Sequence, residues 1–421
     1  MPQPVRQLLA PHGGVLAPDA IRAFIHALRE DGGFAGRRVL VIIPDDTRSG
    51  PMPLLFEALS EALGPPHSAR LEFLVALGTH RPMAEDRMAR HLGMDAATRA
   101  ARFPAVVVHN HRWDLPGTLR SCGRISRDEI RTLSDGLLED EVDVQLNALI
   151  DEFDDLLVVG PVFPHEVVGF SGGAKYFFPG ISGGDVIDFT HWLGALHSIP
   201  RIIGVKDTPV RAVIHRAAGF ITQRTRALKF VVTPAGVKGL FAGAVNDAWS
   251  AAADLSATVH IVRSPRRYHT ILACAPPMYE DIWTAGKCMY KLMSVLEPGG
   301  RLIIFAPHIT EISHSHGKEL RRIGYHVLDY FTGQWERFSG ESKCIMAHSV
   351  HVRGLGRFED GVEKPDAEVI LATGIPREAC EQVSLGYIDP ATINPADFAG
   401  LEHEGVLMVP KAGEYLYRLE E

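Results

Sequence analysis

The chain has 421 residues, 46% hydrophobic and 22% charged, with a formal net charge of −8 and a sequence pI near 6.2. These proportions predict a soluble globular protein of two domains with sizeable cores, and exclude wholesale disorder. The acidic balance argues against nucleic acid as a partner, whose backbone demands clustered Lys and Arg, while leaving room for a local small-anion site.

The five cysteines (Cys122, Cys274, Cys288, Cys344 and Cys380) are scattered and form no C-x-x-C pair. That pattern points away from a disulfide framework and from a thiolate zinc site. The opening residues MPQPVRQLLAPHGG lack the apolar core of a secretory signal. No apolar run approaches the roughly 20 residues that cross a bilayer. A cytoplasmic protein without a membrane partner is expected.

In chain order, short Val/Ile/Leu-rich runs alternate with helical spacing. Strands are predicted at 37–46, 70–80, 104–110 and 154–162, with helices at 53–63 and 84–93 between them. A second series follows: a strand at 268–277, a helix at 281–296, and strands at 299–307, 367–374 and 404–410. Strand–helix alternation predicts an α/β fold with mostly parallel sheets. Ser264-Pro265-Arg266-Arg267 separates the two series. The expected domains are 1–266, rejoined by 403–421, and 267–402.

Ligands of parallel α/β sheets bind beyond the carboxyl ends of the strands. Four polar clusters stand where apolar runs end: Asp45-Asp46-Thr47-Arg48, Gly78-Thr79-His80-Arg81, His109-Asn110-His111 and Pro164-His165. Any one of them could be a turn or a helix cap. Four together point to a site. The densest stretch is PHEVVGFSGGAKYFFPGISGG, residues 164–184. Its glycines permit positive φ and close backbone approach, and successive amides can cradle an anion next to Lys175. A flexible loop carrying a solvated lysine is the plain alternative. The segment is not a P-loop, because the G-x-x-x-x-G-K-[ST] spacing is absent, which counts against a nucleoside-triphosphate enzyme. His165 lies ten residues before Lys175 and His191 sixteen after it. Imidazole is suited both to proton transfer near neutral pH and to metal ligation.

The combination P-H-x-x-x-G-F-S-G-G-x-K-x-x-x-P-G-I, D-D-T-R at 45–48, G-T-H-R-P at 78–82 and F-A-G at 241–243 resembles the nickel-dependent lactate racemase family in order and spacing. The resemblance implies two α/β domains around an active-site cleft. It also implies a nickel-pincer nucleotide (pyridinium-3,5-bisthiocarboxylic acid mononucleotide with Ni(II)) covalently attached at Lys175. His191 is then the metal ligand, a donor suited to square-planar nickel. Gly172, Gly173, Ser171, Asp45 and Thr47 line the cofactor.

His165 and a second histidine are the implied catalytic pair, with Arg48 and Asp45 beside them. His109 and His111 compete for the second role, and His111 is preferred because it stands twelve residues before Gly123. Arg81, Lys287 and Thr284 are the implied substrate contacts, Arg being best suited to a bidentate grip on a carboxylate.

The activity implied is racemisation or epimerisation at C2 of a small 2-hydroxy acid. It runs through a 2-keto acid by proton-coupled hydride transfer to the cofactor, with the histidines exchanging the hydroxyl proton. Cofactor-synthesis proteins would be needed for maturation. Thr284 stands where the lactate enzyme has glutamine, which puts lactate itself in question. His197, Thr284 and Lys287 keep a sugar-acid (gluconate-type) C2 epimerase as the alternative. A non-catalytic nickel-nucleotide carrier would need Lys175 and His191 but not the two bases.

Overall fold

The computed structural model of the protein describes residues 4–78 and 80–420; Thr79 of the G-T-H-R-P motif lies outside them. The chain divides into two compact units that interleave along the sequence. Met1–Phe163, Phe170–Ile187 and Pro209–Val259 form the first, and Pro164–Gly169, Asp188–Thr208 and His260–Glu421 the second.

The first unit is built on a seven-stranded sheet. Its strands are β1 (Arg6–Leu9), β2 (Arg38–Pro44), β3 (Arg70–Ala76), β4 (Val106–Asn110), β5 (Asp155–Pro161), β6 (Arg224–Thr233) and β7 (Gly236–Gly243), in the order β1-β7-β6-β5-β2-β3-β4. Strands β2 to β6 are parallel, while β7 and β1 extend the sheet antiparallel. The four strands expected in this region are β2 to β5.

Val39, Val41 and Ile43 alternate onto one face together with Leu157, Val159, Leu228 and Phe230, and all seven are buried in one core. Burying each such side chain contributes about 1.5–3 kcal/mol. The helix Met52–Leu63 places Leu55, Phe56, Leu59 and Leu63 against this core at helical spacing. Strand order reverses between β2 and β5: the chain goes outward from β2 to β3 and β4, then returns to pair β5 on the other side of β2. Carboxyl ends at such a reversal form a crevice where α/β proteins bind ligands. The residues following those two ends are Asp45–Arg48 and the glycine-rich segment.

The second unit carries a five-stranded, all-parallel sheet. Its strands are β8 (Tyr268–Cys274), β9 (Leu296–Ala306), β10 (Glu368–Thr373), β11 (Gly386–Tyr387) and β12 (Val406–Val409), in the order β11-β10-β9-β8-β12. Leu272, Ile303, Ile370 and Ala372 form a small core on it.

The division of the chain differs from the sequence expectation at 164–169, 188–208, 260–266 and 403–421, all of which fall in the second unit. Residues 403–421 join the second unit, because β12 pairs with β8 and Leu416–Leu419 pairs with Ile261–Ser264. Gly405, at φ 85°, turns the chain into β12. Segments 164–169 and 188–208 also belong to the second unit. There the Gly204 N–H donates to the Gly169 carbonyl at 2.8 Å, and the Asp188 carboxylate accepts from Ser342 Oγ and Cys344 N. The helix expected at 281–296 occurs as three short pieces, Ile282–Ala285, Lys287–Tyr290 and Met293–Val295. Among the described residues no helix is long and apolar enough to cross a membrane.

Candidate functional site

The candidate residues fall into two groups, one in each unit. In the first unit, β2 is followed at once by Asp45, which is buried. Its Oδ1 accepts from Thr47 Oγ1 at 2.7 Å and from Thr47 N at 3.3 Å, an Asx turn that folds the loop back on itself. Its Oδ2 meets His80 Nδ1 in a short contact. Burial alone would raise the Asp45 carboxyl, but His80, Arg48 and the Thr47 hydroxyl hold it well below the usual carboxylate range. A carboxylate beside Nδ1 fixes the proton there, so Nε2 is the basic nitrogen of His80. Arg48 lies over the Phe163 ring at 5.7 Å, beyond the end of β5.

Two residues not singled out from the sequence hold this loop. Buried His91 donates from Nε2 to the Pro44 carbonyl at 2.9 Å, immediately before Asp45. Arg87 grips Asp46 through two bonds of 2.8 Å, the planar pairing that fixes orientation as well as distance. Both project from the helix Glu85–Leu92. Arg81 is exposed.

His111 and His109 are placed differently. His111 is fully buried. Its Nε2 donates to the Ser182 carbonyl at 3.2 Å and its Nδ1 accepts from Asn147 Nδ2 at 3.0 Å. One donor and one acceptor satisfy the neutral ring completely. Burial pushes it down to about 4, against smaller opposing effects of the Ser182 carbonyl and Asp114. His109 is tied to Glu72 at 2.6 Å, and Glu72 also takes Arg70. Each of these two imidazoles is committed to a neighbour within its own unit.

The glycine-rich segment forms a tight turn below the end of β5. Gly172 and Gly173 have φ of 83° and 63°. A Cβ on Gly173 would lie 2.8 Å from Trp249 Cγ, and one on Gly172 would lie 2.9 Å from Val162 Cγ2. Only glycine fits both the backbone and the space. Ser171 braces the loop: its hydroxyl donates to the Pro161 carbonyl and accepts from Phe163 N–H, each at 3.1 Å. Lys175 then sits, half-buried, in the short 3-10 turn Gly173–Tyr176.

In the second unit, His165 is buried. The Val167 N–H donates to its Nδ1 at 3.2 Å, so the proton of the neutral ring belongs on Nε2. Glu166 lies 3.3 Å from the same Nδ1. Because the backbone amide can only donate, this carboxylate neighbours the neutral ring without taking its hydrogen bond. His191 is half-buried and close enough to His348 and His351 to influence both electrostatically. Trp283 packs against both His316 and His348, with ring centroids 4.5 and 4.1 Å away. Thr284 beside it is held by Asp281, which accepts from its amide and its hydroxyl at 3.0 Å each. The Lys287 ammonium sits 4.8 Å over the Tyr279 ring.

Residues 27–201 match the lactate racemase N-terminal domain family. Lactate racemase from Thermoanaerobacterium thermosaccharolyticum is 30% identical over 163 residues, 37% of this chain and 32% of that protein. Lactate racemase from Lactiplantibacillus plantarum is 28% identical over 157 residues, 36% of this chain and 32% of that protein. A crystal structure of a protein from Thermotoga maritima is similar with a TM-score of 0.88 at 33% identity, over 96% of this chain and 99% of that one. Over residues 27–201 the chain is thus similar to the lactate racemase N-terminal domain.

The structure of the lactate racemase apoprotein from Thermoanaerobacterium thermosaccharolyticum shares the fold, with a TM-score of 0.72 at 18% identity over 96% of this chain and 94% of that one. The sequence matches span about a third of the length of the two curated relatives. The matched family domain contains Asp45, His80, His111, His165, Lys175 and His191, and ends before Thr284 and Lys287.

Proposed function

We propose that this lactate racemase-like protein is an isomerase, a racemase or epimerase that inverts C2 of a small 2-hydroxy acid. In this reading a nickel-pincer nucleotide is tethered at Lys175 and its nickel is held by His191. The observation that carries the proposal is the Asp45–His80 pair, an imidazole oriented by a buried carboxylate next to the switch-point loops of the family domain.

The chain's own residues fit the cofactor. Gly172 and Gly173 let Val162 and Trp249 pack where a Cβ would lie, which fixes the turn that presents Lys175. Lys229, under the turn that carries Lys175, is a fully buried amine whose nitrogen has no hydrogen-bond partner. Among the described residues no three His, Cys, Asp or Glu side chains form a metal-holding group. A metal bound through His191 would therefore take most of its donors from an organic ligand. When bound, the nickel nucleotide supplies the reversible hydride acceptance that a weakly acidic C2–H requires.

The protein's part is to bind, orient and move protons. We assign to His80 the acid–base role that the sequence spacing gave to His111, because His111 has no nitrogen left for a substrate. His80 as the neutral imidazole presents a basic Nε2, and His165 starts as the imidazolium beside Glu166 and is left neutral when it gives up its Nε2 proton, so the two begin in complementary protonation states. One takes the substrate hydroxyl proton as the other returns a proton to the keto oxygen, and reversing the roles serves the other configuration. Asp45 keeps His80 in the required tautomer, and Thr47 keeps Asp45 in place. Arg48, Arg81 and Lys287 are the cations available to a substrate carboxylate. A nucleotide carrier would have no use for an oriented base.

A second reading of the substrate is favoured by Trp283 packed against two imidazoles, with Thr284 alongside. Such a polar, aromatic shelf suits the hydroxyls of a sugar acid better than the methyl group of lactate. Maturation by cofactor-synthesis proteins and a cytoplasmic location belong to the same proposal.

Intact-mass measurement after co-expression with a nickel-pincer synthesis pathway tests the tether. The wild type is expected to carry an adduct that Lys175→Ala lacks while keeping its circular dichroism. An equal adduct mass on Lys175→Ala would overturn the assignment.

A further inference from the structure

Lys229 stands in the middle of β6, in register with Gly160 of β5 and Phe241 of β7. Its neighbours Leu228 and Phe230 point into the main core, so Lys229 points to the opposite face, where the glycine-rich segment packs. It is fully buried, and its nitrogen has no hydrogen-bond partner. The ammonium position lies 4.2 Å over the ring of Tyr176, the residue that follows Lys175. The ring reaches that place only because position 160 is glycine: a Cβ there would lie 1.8 Å from the Tyr176 hydroxyl.

A second cation shares this floor. Arg211 donates to the carbonyls of Phe170 and Gly172, the latter at 3.1 Å, and its guanidinium lies 4.2 Å over Trp249. Arg211 thus has a structural task in shaping the loop. Lys229 has none of this kind. Burial and the Arg211 charge both drive its amine well down from the ordinary lysine range. An amine buried without a hydrogen-bond partner destabilises a fold, and a methionine would fill the same space without that cost. Groups that cost stability in the empty protein are characteristic of ligand sites.

We propose that Lys229 is an anion-recognition residue of the tether site, supplying from beneath Tyr176 the counter-charge to an oxyanion of a mononucleotide held on the glycine loop. The inference rests on the reading of Lys175 as the tether and deepens it. The oxyanion is either the 5′-phosphate or a pyridine carboxylate, and the probes below separate them. The groups facing Lys229 are Arg211 and the ring of Tyr176, whose neutral phenol in turn feels Arg48 and Asp45. Among the described residues the one charged group acting on Lys229 is the cation Arg211, so no anion of the protein faces its amine.

The test compares wild type and Lys229→Met as purified apoproteins by calorimetric titration with three probes. These are nicotinic acid mononucleotide, nicotinamide mononucleotide, which lacks the carboxylate, and nicotinic acid riboside, which lacks the phosphate. Lys229→Met is expected to have a higher Tm than the wild type, yet to bind nicotinic acid mononucleotide at least tenfold more weakly. The substitution should make no difference for the probe missing the recognised anion. Equal affinities in the two proteins, or no binding of any probe by the wild type, would overturn the inference, as would a lower Tm with unchanged binding. If Lys229→Met does not fold, Lys229→Gln is read by the same criteria. A Lys175 adduct that forms equally in both proteins contradicts the role of Lys229 and leaves the proposed function standing. Lys229-dependent binding of the mononucleotide by a wild type that never forms the adduct contradicts the proposed function and leaves this inference standing.

Discussion

An imidazole whose two nitrogens are already satisfied in the neutral form has no lone pair to offer a substrate, and His111 is in that state. His80→Ala is expected to lower the rate of C2 inversion by roughly 10²–10⁴-fold, the usual cost of losing an acid–base group. His111→Gln should act on stability instead, leaving the folded fraction active. The pH dependence separates the two further. The folded-state value of His111, about 4 against an ordinary 6.5, means that the unfolded chain binds the extra proton first as pH falls. Its contribution is present above pH 6.5 and is lost between 6.5 and 4, at most about 3 kcal/mol. Thermal unfolding across that window should be less acid-sensitive in His111→Gln than in the wild type; equal slopes would contradict this placement. The sequence made His80 visible as part of G-T-H-R-P, but spacing alone could not distinguish it from His111. What distinguishes them is a carboxylate thirty-five residues away at Asp45 and an amide at Asn147, contacts that only the folded sheet creates.

Lys175 is delivered by a turn whose shape depends on what packs behind it. Gly173→Ala would put a Cβ in a left-handed backbone and 2.8 Å from Trp249 Cγ. The expected cost is roughly 2–4 kcal/mol in chemical denaturation, combining backbone strain with overpacking, together with loss of the Lys175 adduct. Gly184→Ala is the control: nothing lies within 4 Å of its Cβ position, and its effect should stay within about 0.5 kcal/mol. Equal midpoints for the two variants would show that the loop has room to adjust. The glycine pattern was readable in the sequence because glycine, alone among residues, marks backbone that others cannot adopt. Trp249, Arg211 and Lys229, which form the floor of the loop, were not, since nothing local to them announces which turn they will meet. The helix expected at 281–296 failed for a related reason. Apolar spacing there marked buried residues correctly, but the chain curls in three short helical pieces after the Asp281 cap.

At the scale of the whole molecule, apolar runs identified β2 to β5 of the first sheet and β8, β9, β10 and β12 of the second, because a buried parallel strand needs continuous hydrophobicity whatever its neighbours are, while β1, β6, β7 and β11 were not singled out. The runs did not identify the partners. The run at 404–410 reads as a strand equally well for either unit, and pairing with β8 decides it. Segments 164–169 and 188–208, which hold His165 and His191, likewise cross to the second unit through contacts such as Asp188 with Ser342. The central claim is inversion at C2 with hydride, not proton, as the migrating species. It is tested most directly by giving the cofactor-loaded protein single enantiomers of C2-deuterated lactate and gluconate in ordinary water and analysing the products by chiral chromatography and mass spectrometry. The account predicts that at least one substrate is inverted and that the inverted product keeps deuterium at C2, with no net oxidation. Inversion with the label washed out to solvent would mean proton abstraction from carbon, and no inversion of either substrate would contradict the assigned activity.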